Sequence, residues 1–289
     1  MNGLDFAEIR RLVIIAMFSD DSLYGQLVLK GGNAISLVYG LGKRSSLDVD
    51  FSIEGEFSDQ EEIKGRIQRA LTDRFDQAGY IIFDYRFELR PSQGGEKNPR
   101  WGGYRVEFKL IEKTQYNKLT GEVESVRRNA LVVGPAQQRT FTIDISKYEY
   151  CAGKTEKELE SYTVFVYSPA MMAVEKLRAI CQQMPEYPLR GGKFPRARDF
   201  YDICQLVDHA HVDFGSEEVE GLLSPIFAAK EVDLQLIARI PNQRDFHRTD
   251  WPSVQDSISG PAESFDFYFE KVIKHTGQIK IPLDKKAAT

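Results

Sequence analysis

The 289-residue chain is long enough for two domains, and its 42% apolar and 28% charged residues are the balance of a soluble globular protein, not of a disordered or membrane-spanning one. Its 38 basic and 43 acidic residues give a net charge of −5, which argues against a protein that coats nucleic acid through bulk positive charge. Three widely separated cysteines (Cys151, Cys181, Cys204) contain no Cys-x-x-Cys pair, so neither a disulfide framework nor a zinc knuckle is expected, and the setting expected is reducing and cytoplasmic.

Apolar Phe6, Ile9, Leu12, Val13 and Met17 recur at helical spacing and predict an amphipathic helix over residues 5–18. Asp5 and Glu8 precede its apolar run and no small-residue cleavage site follows, so it reads as a helix and not as a signal peptide. No run approaches the roughly 18 apolar residues of a spanning helix, and no membrane association is expected. Next comes LKGGNAISLVYGLGKRSSLDVDFSI, residues 29–53. Gly31 and Gly32 open a helix over 34–39, with Asn33 as an acceptable cap and Gly40 and Gly42 as its end. Residues 47–53 then alternate as a strand, with Asp48, Asp50 and Ser52 on one face and Val49, Phe51 and Ile53 on the other. A charged amphipathic helix is predicted over 61–78, inner stripe Ile63, Ile67, Leu71 and Phe75.

Strands are predicted over 80–89 and 104–111, with a polar loop between them, at Val132-Val133, over 140–146 with Asp144, and over 162–167. Ser168-Pro169 then makes a helix start, cap followed by proline in the first turn. Helices follow to about residue 183 and over 198–210, the remainder to about 275 is mainly helical or loop, and the tail from 277 is expected to be loose. An α+β front half and an α-rich back half therefore meet within 160–168.

The chemistry concentrates in 31–50. Glycines allow backbone N–H groups close to a phosphate, and a helix N-terminus attracts one. Arg44, Ser45 and Ser46 could donate to phosphate oxygens or form a solvated turn. Carboxylates at i and i+2 of a strand share a face, so Asp48 and Asp50 can grip one cation. Asp144 joins them if the strands around 49 and 143 are neighbours, and three carboxylates would hold one or two Mg²⁺ ions. Solvent-facing aspartates and a plain tight turn are the alternatives when each signal is taken alone.

Farther along, Lys176, Arg178, Arg190, Lys193, Arg196 and Arg198 stand against a single Glu186, a candidate phosphate-facing surface or else a solvated basic loop. Lys176 lies between Met172 and Ile180 on an otherwise apolar helical face, so it needs a phosphate or a carboxylate, Asp199 or Asp202. The loop 90–104 mixes aromatics with cations, a composition shared by single-strand contacts and, more often, by hairpin loops. His209, His211, His247 and His275 show no metal spacing.

LKGGNAISLVYGLGKRSSLDVDFSI, YSPAMMAVEKLRAI and RARDFYDICQL, in this order, resemble the motifs of the AbiEii/AbiGii toxin family, nucleotidyltransferase-like proteins of bacterial abortive-infection and toxin–antitoxin operons. The first motif is shared with the wider DNA polymerase β-like superfamily. The resemblance implies an α+β nucleotidyltransferase (polymerase β-like) mixed sheet with flanking helices over 1–165 and a mainly helical domain over 166–289. It implies Asp48 and Asp50 as the metal pair and Lys176 and Asp199 as the essential lysine and downstream aspartate; Asp144, placed by strand type and position and not by a motif, would bind the second metal or help deprotonate the acceptor. Gly31, Gly32 and Asn33 would hold the triphosphate, with Arg44, Ser46, Arg178 and Arg196 around the nucleotide. Asn33 stands where many relatives have Ser or Thr. The activity implied is Mg²⁺- (or Mn²⁺-) dependent transfer of NMP from an NTP to RNA, a tRNA 3′ end foremost, countered by a cognate antitoxin. Nucleotidyl or phosphoryl transfer to a protein, or a silent nucleotide-binding module, are the alternatives.

Overall fold

In the computed structural model, which describes residues 4–44, 46–91, 102–119, 122–134, 137–189 and 192–281, the chain divides into two units: Met1–Gly40 with Ser45–Tyr167, and Leu41–Arg44 with Ser168–Thr289. The first unit runs α1 (Phe6–Phe18), α2 (Asp21–Tyr24), β1 (Val28–Lys30), α3 (Gly31–Asn33) continuing as a π-helical turn (Ala34–Val38), β2 (Val49–Ser52) and α4 (Gln60–Gln77). It continues with β3 (Tyr80–Arg90), β4 (Gly103–Glu112), α5 (Lys113–Lys118), α6 (Val123–Arg128), β5 (Phe141–Ser146), β6 (Lys154–Leu159) and β7 (Tyr162–Tyr167).

All seven strands form one mixed sheet in the order β3-β4-β5-β2-β1-β7-β6. The pairs β2–β5 and β1–β7 are parallel, and the others are antiparallel. Period-two alternation sets its faces. Val49, Phe51, Val106, Phe108 and Ile143 are fully buried on one side, each worth about 1.5–3 kcal/mol of removed apolar surface. Phe18 of α1 meets Phe51 edge-on at 5.9 Å, and Phe75 of α4 packs on Phe108 at 5.9 Å, so these two helices cover that face. Both begin on aspartate caps: Asp5 accepts from the Glu8 N–H and Asp59 from the Glu62 N–H, each filling one orphan donor of a first turn. The predicted stripe of α4, Ile63, Ile67, Leu71 and Phe75, is its buried side.

Three differences from the sequence reading have plain causes. β1 has only three residues, too few to display a period, and β6 (KTEKEL) is a largely exposed, charged edge strand, a composition that guards edges against pairing. Val132-Val133 is not a strand. The Leu131 N–H donates to the Leu110 carbonyl and the Val133 N–H to the Gln138 carbonyl, which closes a loop there instead of a ladder. Most of the mixed aromatic and cationic loop, 92–101, lies outside the described residues, as do Ser45, Arg190 and the tail 282–289.

The second unit is helical: α7 (Pro169–Cys181), α8 (Ala197–Ala210), α9 (Glu217–Ala228), a 3-10 segment (Leu234–Gln243), α10 (Arg244–Arg248), α11 (Trp251–Asp256) and α12 (Phe265–Thr276). Ser168 caps α7 by accepting from the Met171 N–H at 3.2 Å, with Pro169 in the first turn as expected. Phe200 of α8 packs against Phe265 and Phe269 of α12 at 5.4 and 5.2 Å, the aromatic centre of this unit. Among the described residues no helix is long and apolar enough to cross a membrane.

Candidate active site

On the sheet face opposite α1 and α4, strand register lines up four charged residues. Arg105 of β4 is opposite Asp144 of β5, Asp144 is in register with Asp50 of β2, and Asp50 is opposite Lys30 of β1. Residues directly opposite on neighbouring strands project from the same face about 5 Å apart. The row therefore reads plus, minus, minus, plus, with two carboxylates side by side at its centre. Asp48 lies two residues before Asp50, at the mouth of β2, and all three aspartates are half-buried. The conditional expectation that β2 and β5 are neighbours is met, and Asp50 and Asp144 are brought together.

Both flanking cations are engaged. Arg105 holds Asp144 bidentately, Nε to Oδ1 at 2.8 Å and Nη2 to Oδ2 at 3.0 Å. This bond keeps the Arg105 guanidinium pKa above its ordinary value despite partial burial, and the charge of Asp48 adds to the shift. Lys30 is buried and its Nζ is 3.4 Å from Glu149 Oε1.

The glycine turn meets this row directly. Gly31 has φ +74°, and a Cβ there would stand 2.5 Å from Asp50 Oδ2. Position 31 thus lacks a side chain for two reasons, a left-handed backbone and the approach of the carboxylate. Asn33, expected at the triphosphate, is fully buried, and its Nδ2 donates to the Asp48 carbonyl at 2.7 Å. Ser46 Oγ donates to the same carbonyl at 3.5 Å, while the Ser46 carbonyl accepts from Arg10 Nη1. These side chains fix the backbone that presents Asp48.

The lysine and arginine motifs lie in the second unit and form a different arrangement. Lys176 of α7, 5% exposed, donates to Asp199 Oδ1 at 3.1 Å and to Asp202 Oδ2 at 2.7 Å, both on α8. Arg196 Nε donates to Asp199 Oδ2. Arg44 Nε and Nη2 donate to Asp202 Oδ1 and Oδ2 at 3.1 and 2.9 Å. Burial alone would raise the Asp199 pKa, but Arg196, Lys176 and Arg198 outweigh it and hold the carboxyl below its usual range. Burial likewise opposes the charge on Lys176, and Asp202 and Asp199 outweigh it and raise the pKa. Leu41–Arg44 is fastened further by the Ser259 N–H donating to the Lys43 carbonyl at 2.9 Å.

This geometry corrects the reading of the basic segment. Arg178, expected near the nucleotide, is 2% exposed, with Nη1 on the Ile226 carbonyl and Nη2 on Glu175, both at 3.2 Å. Lys193 Nζ donates to the Gln182 and Tyr187 carbonyls at 3.1 and 2.6 Å. With Lys176 and Arg196 spent on aspartates, four of the six cations hold the fold instead of facing a phosphate surface. Of the other two, Arg198 is exposed and Arg190 lies outside the described residues. Asp202 and Arg44 emerge as the second half of the ion network. Arg105 was missed altogether: β4 alternation shows its face, but only strand register shows that Asp144 is its partner.

Asp48 and Asp50 offer the hard oxygen donors that Mg²⁺ takes, and such ions commonly use one or two carboxylates with substrate phosphates completing the shell. Among the described residues no group of three or more His, Cys, Asp or Glu side chains is disposed to hold a metal.

Residues 13–271 match the family model described as nucleotidyl transferase AbiEii toxin, type IV toxin–antitoxin system. No curated protein sequence matches the chain. Among solved structures, the chain is similar to a protein from H. pylori assigned as a nucleotidyltransferase, with 16% identity, a TM-score of 0.45 and 96% of this chain aligned to 97% of that one. It is also similar to an antigenic nucleotidyltransferase-like protein from Paracoccidioides brasiliensis, with 16% identity, a TM-score of 0.39 and coverage of 89% and 96%.

Proposed function

The chain belongs to the AbiEii family of nucleotidyltransferase toxins of type IV toxin–antitoxin systems, and from that premise we propose that it transfers a nucleoside monophosphate from an NTP to an RNA hydroxyl, a tRNA 3′ end foremost, in the cytoplasm. The observation that carries the site is the in-register pairing of Asp50 with Asp144 beside Asp48, two half-buried carboxylates adjacent on one sheet face. Carboxylates on one face of a strand, partly open to solvent, are the oxygen donors that a divalent cation takes when substrate phosphates complete its shell.

Asp48 and Asp50 would hold Mg²⁺ or Mn²⁺, which when bound polarises the α-phosphate and offsets charge on the leaving pyrophosphate. Gly31 leaves room for the Asp50 carboxylate, and Asn33 and Ser46 hold the Asp48 backbone. Gly31 and Gly32 would supply backbone N–H donors to the triphosphate. The network of Lys176, Asp199, Asp202, Arg44 and Arg196 fastens Leu41–Arg44 to the helices of its own unit, which supports a positioning role for Lys176 and Asp199. The nucleic-acid acceptor and the antitoxin partner rest on family resemblance, since the basic segment no longer argues for them.

The test is incubation of the purified protein with total bacterial tRNA, Mg²⁺ and each α-labelled NTP in turn, beside Asp48→Ala. Label on tRNA with wild type and none with the variant is the expected result. Label on protein instead overturns the acceptor, and an active Asp48→Ala variant overturns the site.

A further inference from the structure

Helix α1 buries an arginine among its apolar residues. Arg10, 6% exposed, lies on the same buried helix side as Ile9 and Val13. A charge taken out of water needs a partner within the fold. Among the described residues no carboxylate bonds to this one: Asp5 acts on it only from a distance, and Nε is buried with no partner at all. Burial accordingly holds the guanidinium pKa below its ordinary value. Its bond goes instead to a backbone carbonyl far along the chain, Nη1 donating to Ser46. An apolar side chain of similar volume would fill the same space without that desolvation, so stability does not explain the arginine.

Its target is the segment that leads into β2. Arg10 holds the Ser46 carbonyl, and two residues on the Asp48 carbonyl accepts from Asn33 Nδ2 at 2.7 Å and from Ser46 Oγ at 3.5 Å. The segment is thus gripped from two elements, α1 and the glycine turn. Both gripping side chains leave a buried polar atom without a partner, Arg10 Nε and Asn33 Oδ1. Folded proteins seldom leave such atoms, and each one calls for a reason other than stability. Resting on the metal role proposed for Asp48, we infer that Arg10 is a positioning residue for nucleotidyl transfer: it fixes the Ser46 carbonyl and, with Asn33, sets where the Asp48 carboxylate stands. Arg10 acts on the reaction through Asp48 alone. The fold rests on the apolar side of α1 and does not need the guanidinium.

The test sets full-length Arg10→Met beside wild type in three measurements: urea unfolding, Mn²⁺ affinity with free Mn²⁺ followed by electron paramagnetic resonance, and transfer from the α-labelled NTP. Arg10→Met is expected to unfold at the same or higher urea, to bind Mn²⁺ more weakly, and to transfer about a hundredfold more slowly, the usual cost of a misplaced reacting group. The control is Arg11→Met, one residue along α1, where Nη1 pairs with Glu160 at 3.2 Å near the surface. It should match wild type in Mn²⁺ binding and transfer. A folded Arg10→Met with wild-type Mn²⁺ affinity overturns the inference and leaves the Asp48–Asp50 site standing. So does an Arg10→Met that fails to fold or unfolds at clearly lower urea, because the guanidinium then serves the fold. If wild type binds Mn²⁺ but finds no acceptor, the unfolding and affinity measurements still decide. No saturable Mn²⁺ binding by wild type overturns the metal site and the inference with it.

Discussion

Two pairs of aspartates in this protein are treated in opposite ways. Asp199 and Asp202, one helical turn apart on α8, are 1% and 3% exposed and are surrounded by Lys176, Arg44 and Arg196. Asp50 and Asp144, adjacent across β2 and β5, are only half-buried, with Arg105 bonded to Asp144 and Lys30 opposite Asp50. A fully buried carboxylate must find its counter-charge within the fold, because desolvation costs several kcal/mol per ion. A half-buried one can wait for a counter-ion from outside. Closed, buried networks of the first kind build structure, and half-buried carboxylates of the second kind are accessible for chemistry.

The comparison breaks most visibly on activity. Asp50→Ala should lower nucleotidyl transfer by about a thousandfold or more, some 4 kcal/mol of barrier, since it removes an ion ligand. The same change should cost less than about 1 kcal/mol in urea unfolding, because it also relieves like-charge crowding. Asp202→Ala should do the reverse. It strips the shared carboxylate from buried Lys176 and from Arg44, and loss of one partner of a buried pair costs about 3–5 kcal/mol. A large unfolding shift in Asp50→Ala with none in Asp202→Ala would erase the distinction.

Acid sharpens it next. His247 is fully buried against Phe200 and Phe246 and accepts the Arg196 N–H on Nδ1 at 3.0 Å, so Nε2 carries the proton of the neutral ring. Burial pushes its pKa down to about 4 from the ordinary 6.5, with Asp199 opposing and Arg196 assisting. A lowered folded pKa means that the unfolded chain takes up the proton first. Stability is therefore complete above pH 6.5 and declines as pH falls towards 4, by up to about 3 kcal/mol. Asp199 and Asp202, also held below their usual range, add a further loss beneath about pH 4. Unfolding free energy measured from pH 7 to 4 should decline in wild type and decline less in His247→Asn, whose Oδ1 can still accept from Arg196. Equal declines in both would remove His247 from the account.

How much of this was legible follows the range of the interactions. Helices α1, α4, α7 and α8 and strands β2 to β5 and β7 announce themselves through local period and caps, and Asp48 and Asp50 through alternation and the preceding glycines. Whether Asp144 stands beside Asp50 depends on parallel pairing across more than ninety residues, which the sequence could state only as a condition. Arg105 was invisible for the same reason. The basic run misleads because charge along the chain does not reveal solvent exposure: Lys176 and Arg178 sit on a helix whose every face but one is covered. Lys176 itself had offered the clue, being placed between apolar neighbours and within reach of Asp199 and Asp202.

The smallest effect tests how closely the glycine turn is fitted to the carboxylate row. At Gly31 the left-handed φ of +74° costs a non-glycine residue about 1–2 kcal/mol, and the added Cβ would meet Asp50 Oδ2 at 2.5 Å. The carboxylate is a side chain and can rotate, so Gly31→Ala should fold, somewhat weakened, with Asp50 turned from its place. Displacement by about 1 Å in a reacting site commonly costs on the order of a hundredfold in rate. Gly65 is the control. It lies inside α4 with nothing within 4 Å of a built Cβ, and Gly65→Ala should stabilise by about 0.5–1 kcal/mol with transfer unchanged. If Gly31→Ala retained full activity, Asp50 would not need the orientation it has here, and the fit between turn and strand would be packing alone.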